Sequence, residues 1–112
     1  MVHYQSDIPA TFAALGDPTR CAIVARLAEA PLSVSDLAAP LDMSLQAVRK
    51  HLGVLETAGL IESEKRGRVR RCRLRPQTLQ AAEAWISDRR ALWEGRLDAL
   101  DGWLKKEGGS NA

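Results

Sequence analysis

Nine basic side chains fall between Arg49 and Arg75: Arg49, Lys50, Lys65, Arg66, Arg68, Arg70, Arg71, Arg73 and Arg75. Three acids, Glu56, Glu62 and Glu64, share that stretch, which therefore carries a local charge of +6. The rest of the 112-residue chain holds seven bases and eleven acids, a balance of −4, and the net charge is only +2. Guanidinium and ammonium groups bind phosphate oxygens through charge-assisted hydrogen bonds. Charge segregated in this way is the electrostatic footprint of a protein that meets a polyanion. A charge run alone can equally be a solvated face, so the elements that carry it decide between the two readings.

Ser44 is placed to cap a helix reaching Ala58, where Gly59 stops it. At 100° per residue, Leu45, Val48, Leu52 and Leu55 fall within an arc of about 80° and form the expected core stripe. Gln46, Arg49, Lys50, Gly53 and Thr57 fill the arc that faces away from it. That face is polar and basic, and Gly53 keeps it low. Upstream, Ile8, Phe12 and Leu15 predict a helix over 8–15, closed by Gly16. Asp17-Pro18 opens a second helix, to about Glu29, with Ile23, Val24, Leu27 and Ala28 inward. Ser33, with Asp36 three residues on, caps a short third helix that carries Val34, Leu37 and Ala38 inward and ends before Pro40.

Downstream, residues 60–65 and 69–75 are strand-like runs around Arg66-Gly67-Arg68, and Gly67 can supply the positive φ of a tight hairpin turn. Pairing Lys65 with Arg68 sets Ile61 opposite Cys72 and Glu62 opposite Arg71, with Ile61, Cys72 and Leu74 on the inner face. Pro76 then starts a long helix, predicted over 77–106.

This order predicts a mainly α fold with a small β-hairpin: a winged helix-turn-helix with N- and C-terminal dimerisation helices. Residues 1–107 would form one DNA-binding and dimerisation domain, and 108–112 a flexible tail. The helix over 44–58 would enter the major groove of double-stranded DNA, and the wing over 65–70 would reach adjacent backbone or minor groove. Gln46 can bond adenine two ways, while Arg49 and Lys50 suit guanine or phosphate. Ser44, Ala47 and the first free N–H groups of the helix can hold a phosphate, and His51 either packs or bonds one. Arg66, Arg68 and Arg70 are the expected wing contacts. Arg20 touches backbone phosphate, makes capping contacts or joins a surface ion pair.

The runs Ala14-Leu15-Gly16-Asp17-Pro18-Thr19-Arg20, Leu32-Ser33-Val34-Ser35-Asp36-Leu37-Ala38 and Met43-Ser44-Leu45-Gln46-Ala47-Val48-Arg49-Lys50-His51-Leu52 share one pattern with Leu55-Glu56-Thr57-Ala58-Gly59-Leu60-Ile61 and Arg66-Gly67-Arg68-Val69. Together they resemble the ArsR/SmtB-type repressors, dimeric winged-helix proteins that release DNA on sensing a metal or another signal. The resemblance implies a homodimeric, sequence-specific transcriptional regulator, a repressor reading a palindromic operator. Metal-sensing members place cysteines in the third helix, where this chain has Ser33 and Ser35. Others use His and acidic ligands on the last helix, and here no His follows His51. Cys21, Cys72, His3 and His51 are the only thiols and imidazoles, and no spacing brings them together, so neither a metal nor another cofactor is expected.

Cys21 lies at the edge of its helix's apolar arc and Cys72 faces inward, which fits packing. The alternative is a redox-responsive thiol pair linking the second helix to the wing. The last helix carries Leu79, Ala82, Trp85, Ile86, Leu92, Trp93, Leu97, Leu100, Trp103 and Leu104 within about 140° of arc, broader than a small core covers. A symmetric homodimer is the expected cover, with Ile8 and Phe12 joining the seam. Arg89 and Arg96 fall inside that arc. Each either snorkels to water or meets a carboxylate, Asp7 being one candidate.

No apolar run approaches the roughly 20 residues of a membrane span, and the first residues lack a secretory pattern. Two cysteines are too few for a secreted disulfide scaffold, so a cytoplasmic protein is expected. With no hydrolase or phosphotransferase motif and two histidines, an enzyme is not expected. A winged helix that contacts only other proteins is the remaining alternative, and no residue pattern identifies a small-molecule effector.

Overall fold

Side-chain oxygens start four of the five helices in the computed structural model, which describes residues 7–110. Asp7 accepts from the Ala10 N–H ahead of α1 (Ile8–Leu15), and Asp17 from the Arg20 N–H ahead of α2 (Pro18–Leu27). Ser33 accepts from Asp36 ahead of α3 (Val34–Ala38), and Ser44 from Ala47 ahead of α4 (Leu45–Thr57). Each cap satisfies a donor that the first helical turn leaves orphaned, a contribution of about 1 kcal/mol. At its far end α4 closes in a Schellman arrangement. Gly59, at φ +77°, lets the Leu60 N–H reach back to the Leu55 carbonyl at 2.9 Å, and Leu60 drops into the core.

Leu32–Ser33 (β1), Ile61–Arg66 (β2) and Val69–Leu74 (β3) make an antiparallel sheet in the order β1-β3-β2. Two details differ from the sequence-based expectation. Leu32 and Ser33 pair with Cys72 and Arg71, which adds a third strand. The hairpin register is Ile61↔Leu74, Ser63↔Cys72 and Arg66↔Val69, two residues away from the expected pairing. The two-residue turn is therefore Gly67-Arg68, with Gly67 at φ +62° in the first position, where a type II′-like turn wants glycine. Side chains alternate with period two, so a two-residue shift leaves the faces unchanged. Ile61 and Cys72 stay buried and Leu74 half-buried, as expected.

Ile23 and Leu27 of α2, Leu37 of α3, Val48, Leu52 and Leu55 of α4, Leu60, Ile61 and Cys72 form one buried cluster. The helix-turn-helix is thus clamped onto the sheet by its apolar stripe. Arg26 reinforces it from α2, its guanidinium donating to the Leu37 and Asp36 carbonyls at 3.2 and 3.1 Å. Leu45 and Ala28 do not join the core: α2 ends at Leu27, leaving Ala28 exposed, and Leu45, 43% exposed, sits in a first turn that projects past the core.

The last helix, α5 (Pro76–Ser110), runs beyond the expected end at Lys106 and through the first part of the expected tail; Asn111, Ala112 and His3 lie outside the described residues. The chain divides into two units, one up to Ala82 and one from Glu83 on. Among the described residues the second unit is the continuing α5 alone, and its large apolar residues are exposed. Among the described residues no helix is long and apolar enough to cross a membrane.

Candidate nucleic-acid interface

The outer face of α4 is built as its sequence periodicity requires. Gln46, Arg49, Lys50, Gly53 and Thr57 are all exposed, opposite the buried Val48, Leu52 and Leu55. A Cβ at Gly53 would meet nothing within 4 Å, so the fold itself leaves that part of the face open. Ser44 and Ala47 are engaged with each other, the Ala47 N–H donating to Ser44 Oγ at 3.1 Å. They preorganise the helix start, while the N–H groups of Leu45 and Gln46 have no intrahelical acceptor and can meet an anion.

His51 faces back toward α2. Its Nδ1 lies 3.2 Å from Arg20 Nη1 and 3.9 Å from Asp17 Oδ2. Arg20 also donates from Nε to the Ala14 carbonyl at 2.7 Å and from Nη2 to the Ala13 carbonyl at 3.3 Å. The guanidinium therefore makes the expected capping contacts at the end of α1 and ties it to α4. The Asp17 carboxyl is held below its ordinary value, first by the Arg20 backbone N–H; partial desolvation opposes this, and the nearby His51 and Arg20 charges add to it.

Arg49 on α4 and Lys65, Arg68 and Arg70 on the hairpin line a groove of about 650 Å³ between helix and wing. Arg68 and Arg70, two of the three expected wing contacts, line this groove. The third, Arg66, lies on the outer face of the sheet and pairs with Glu64 at 3.3 Å, beside the Arg73–Glu62 pair at 2.7 Å. Sequence reasoning missed Lys65 and Glu56 as individual groove residues. Strand parity was the available signal, because Lys65 shares the face of Ile61 and Ser63.

The two thiols have opposite environments. Cys72 is fully buried, and burial pushes its thiol up, with the Glu56 charge adding to the rise. Cys21 is exposed, and both are free thiols. Oxidation proceeds through thiolate, which the Cys72 site disfavours. Among the described residues no three His, Cys, Asp or Glu side chains cluster as a metal site would need. Ser33 is engaged as a cap and Ser35 is exposed; their hydroxyls do not fit the soft-metal chemistry of cysteine ligands.

In the second unit Trp85, Ile86, Trp93, Leu97, Leu100 and Leu104 are exposed, while Ile8 and Phe12 of α1 are half-buried. The Arg89 guanidinium stacks over the Trp85 ring at 4.5 Å and donates to the Trp85 carbonyl at 3.3 Å. Arg96 is exposed on the same helix.

Residues 15–64 match a helix-turn-helix domain family model, a span holding α2 through α4. The chain is 40% identical over 95 residues to the HTH-type transcriptional regulator Rv2034 of Mycobacterium tuberculosis, covering 85% of this chain and 86% of that one. Its fold is similar to the crystal structure of the ArsR family transcriptional regulator RHA00566, with a TM-score of 0.77 and 42% identity over 84% of this chain and 97% of the other. An ArsR-like transcriptional regulator from Rhodococcus sp. RHA1 is similar too, with a TM-score of 0.75 and 38% identity, covering 86% of this chain and 91% of that one.

Proposed function

The chain belongs to the ArsR/SmtB-type family of winged helix-turn-helix transcriptional regulators, and from that premise we propose a homodimeric repressor that reads a palindromic operator. In this reading α4 enters the major groove and presents Gln46 and Arg49 to base edges, with Lys50 on guanine or phosphate. Lys65, Arg68 and Arg70 meet the backbone beside it. Ser44, Ala47 and His51 serve indirectly, by fixing the start of α4 and its attachment to α2. The partner copy covers the apolar face of α5. In this reading Ser33, which caps α3, and Ser35 within it stand where metal-sensing members of the family place cysteines, and the protein acts without that site.

One observation carries the reading most: a capped helix turns an open polar and basic face outward beside a groove lined by four cations. Competition binding against a randomised duplex library tests it. Arg49→Ala and Gln46→Ala should each cost about 1–3 kcal/mol on the selected site and relax selectivity at one base position. Arg68→Ala should weaken all duplexes evenly and lower the salt slope by about one, the signature of a lost phosphate contact. Unchanged selectivity in both helix variants would remove α4 as the reading surface.

A further inference from the structure

Among the described residues that line the groove between α4 and the wing, Glu56 is the only acid. A carboxylate there repels the phosphates that Arg49, Lys65, Arg68 and Arg70 attract, so on charge alone it opposes DNA binding. It also lies in the last turn of α4, away from the N-terminal half that meets base edges.

Its hydrogen bonds give it a different task. Ser63 Oγ donates to Glu56 Oε1 at 2.9 Å, and Arg70 Nη1 donates to Ser63 Oγ at 2.9 Å. The serine hydroxyl has one proton, which goes to the carboxylate, so its lone pairs are left for the guanidinium. Ser63 belongs to β2 and Arg70 to β3. The relay thus runs from α4 through one strand to the other, and its two charged ends, Glu56 and Arg70, both line the groove. Both of its ends are charged, which makes each link stronger than a neutral hydrogen bond.

We propose that Glu56 is a positioning residue that sets how sharply the protein discriminates its operator from other DNA. Through Ser63 it fixes the stand-off between wing and α4 and aims Arg70. Its charge keeps loosely seated phosphate out of the groove, so tight binding requires a duplex that satisfies helix and wing together. This rests on the DNA-reading function above. It has an unusual consequence: removing the carboxylate makes the protein a less selective DNA binder without making it a weaker one on random sequence.

Full-length parent, Glu56→Ala, Glu56→Gln and Ser63→Ala proteins would be titrated at one salt concentration. The probes are the duplex that the parent selects from a random library and a scrambled duplex of the same composition. Glu56→Ala should bind the scrambled duplex about threefold more tightly or better and the selected one more weakly, so their affinity ratio falls by about tenfold or more. Glu56→Gln keeps an acceptor for Ser63 and should hold the selected duplex as the parent does. Ser63→Ala keeps the charge and cuts the relay, so it should lose affinity for the selected duplex alone. Thermal melting by circular dichroism checks that each variant is folded. The proposal is overturned if folded Glu56→Ala loses affinity for both duplexes in equal proportion, or if Ser63→Ala binds the selected duplex like the parent. A parent with no preference for any duplex is a separate failure, that of the DNA-reading function itself.

Discussion

The two units of the chain treat the same residue types in opposite ways. Up to Ala82, leucines such as Leu37, Leu55 and Leu60 are fully buried among their own neighbours. From Glu83 on, Leu92 is 64% exposed, Trp93 59% and Trp103 58%, with Leu97, Leu100 and Leu104 close behind. Burying apolar surface contributes about 25 cal/mol per Å², so the first unit has its stabilisation built in and the second has it still to gain. Charge follows the same division. The first unit concentrates cations in one groove, whereas the second scatters its charges into exposed i,i+4 pairs, Arg90–Glu94 at 4.0 Å and Asp101–Lys105 at 3.0 Å. The first unit thus holds the buried core and the cationic groove, and the second an apolar face left exposed. In the proposed function a second copy covers that face.

The largest effect is expected in the core of the first unit. Leu55→Ala should lower stability by about 2–5 kcal/mol in urea unfolding, because the site is fully buried and a cavity remains. A loss below about 1 kcal/mol would contradict a closed, self-supporting first unit. Next comes the seam. Trp93→Ala should leave the far-ultraviolet circular dichroism of the protein unchanged and raise the dimer dissociation constant by about ten- to a hundredfold in sedimentation. Arg89→Ala and Arg96→Ala sharpen the same test. A weaker dimer means that the arginine meets a carboxylate across the seam, and a parent-like dimer means that it only edges it.

A smaller effect is expected at Gly53, where the structure shows open space. Gly53→Ala should raise stability by about 0.5–1 kcal/mol while weakening binding to the selected duplex, since the added methyl stands on the face that approaches DNA. Equal or better binding would show that the duplex does not come close there. The last test moves no free energy. A thiol reagent should modify Cys21 promptly and Cys72 only as the protein unfolds, because Cys72 is sealed in the core and its thiol is pushed up by burial. Equal rates would contradict that burial.

What the sequence revealed and what it hid divide by range. The Asp17, Ser33 and Ser44 caps and the Gly59 and Gly67 conformations are decided within three or four residues, and each is where local chemistry put it. Strand β1 was invisible because two residues carry no periodicity, and it exists only through pairing with Cys72 and Arg71 some 40 residues away. The hairpin register slipped by two because a single glycine fits either turn, while the alternation of faces kept Ile61 and Cys72 inward. Leu45 fell inside the apolar arc of α4, yet an arc does not say where along the helix the core ends. In the groove, Arg49, Arg68 and Arg70 were legible from charge and position. The pairing of Arg66 with Glu64 and the Glu56–Ser63–Arg70 relay were not, because they depend on the register.

In the proposed function α4 and the wing read DNA while α5 brings two such readers together. Hydroxyl-radical footprinting of the protein on the duplex it selects tests it most directly. Two protected patches related by a dyad are predicted, their centres about 10–11 base pairs or a multiple of that apart, on one face of the duplex. A single patch on a site without repeat would contradict it.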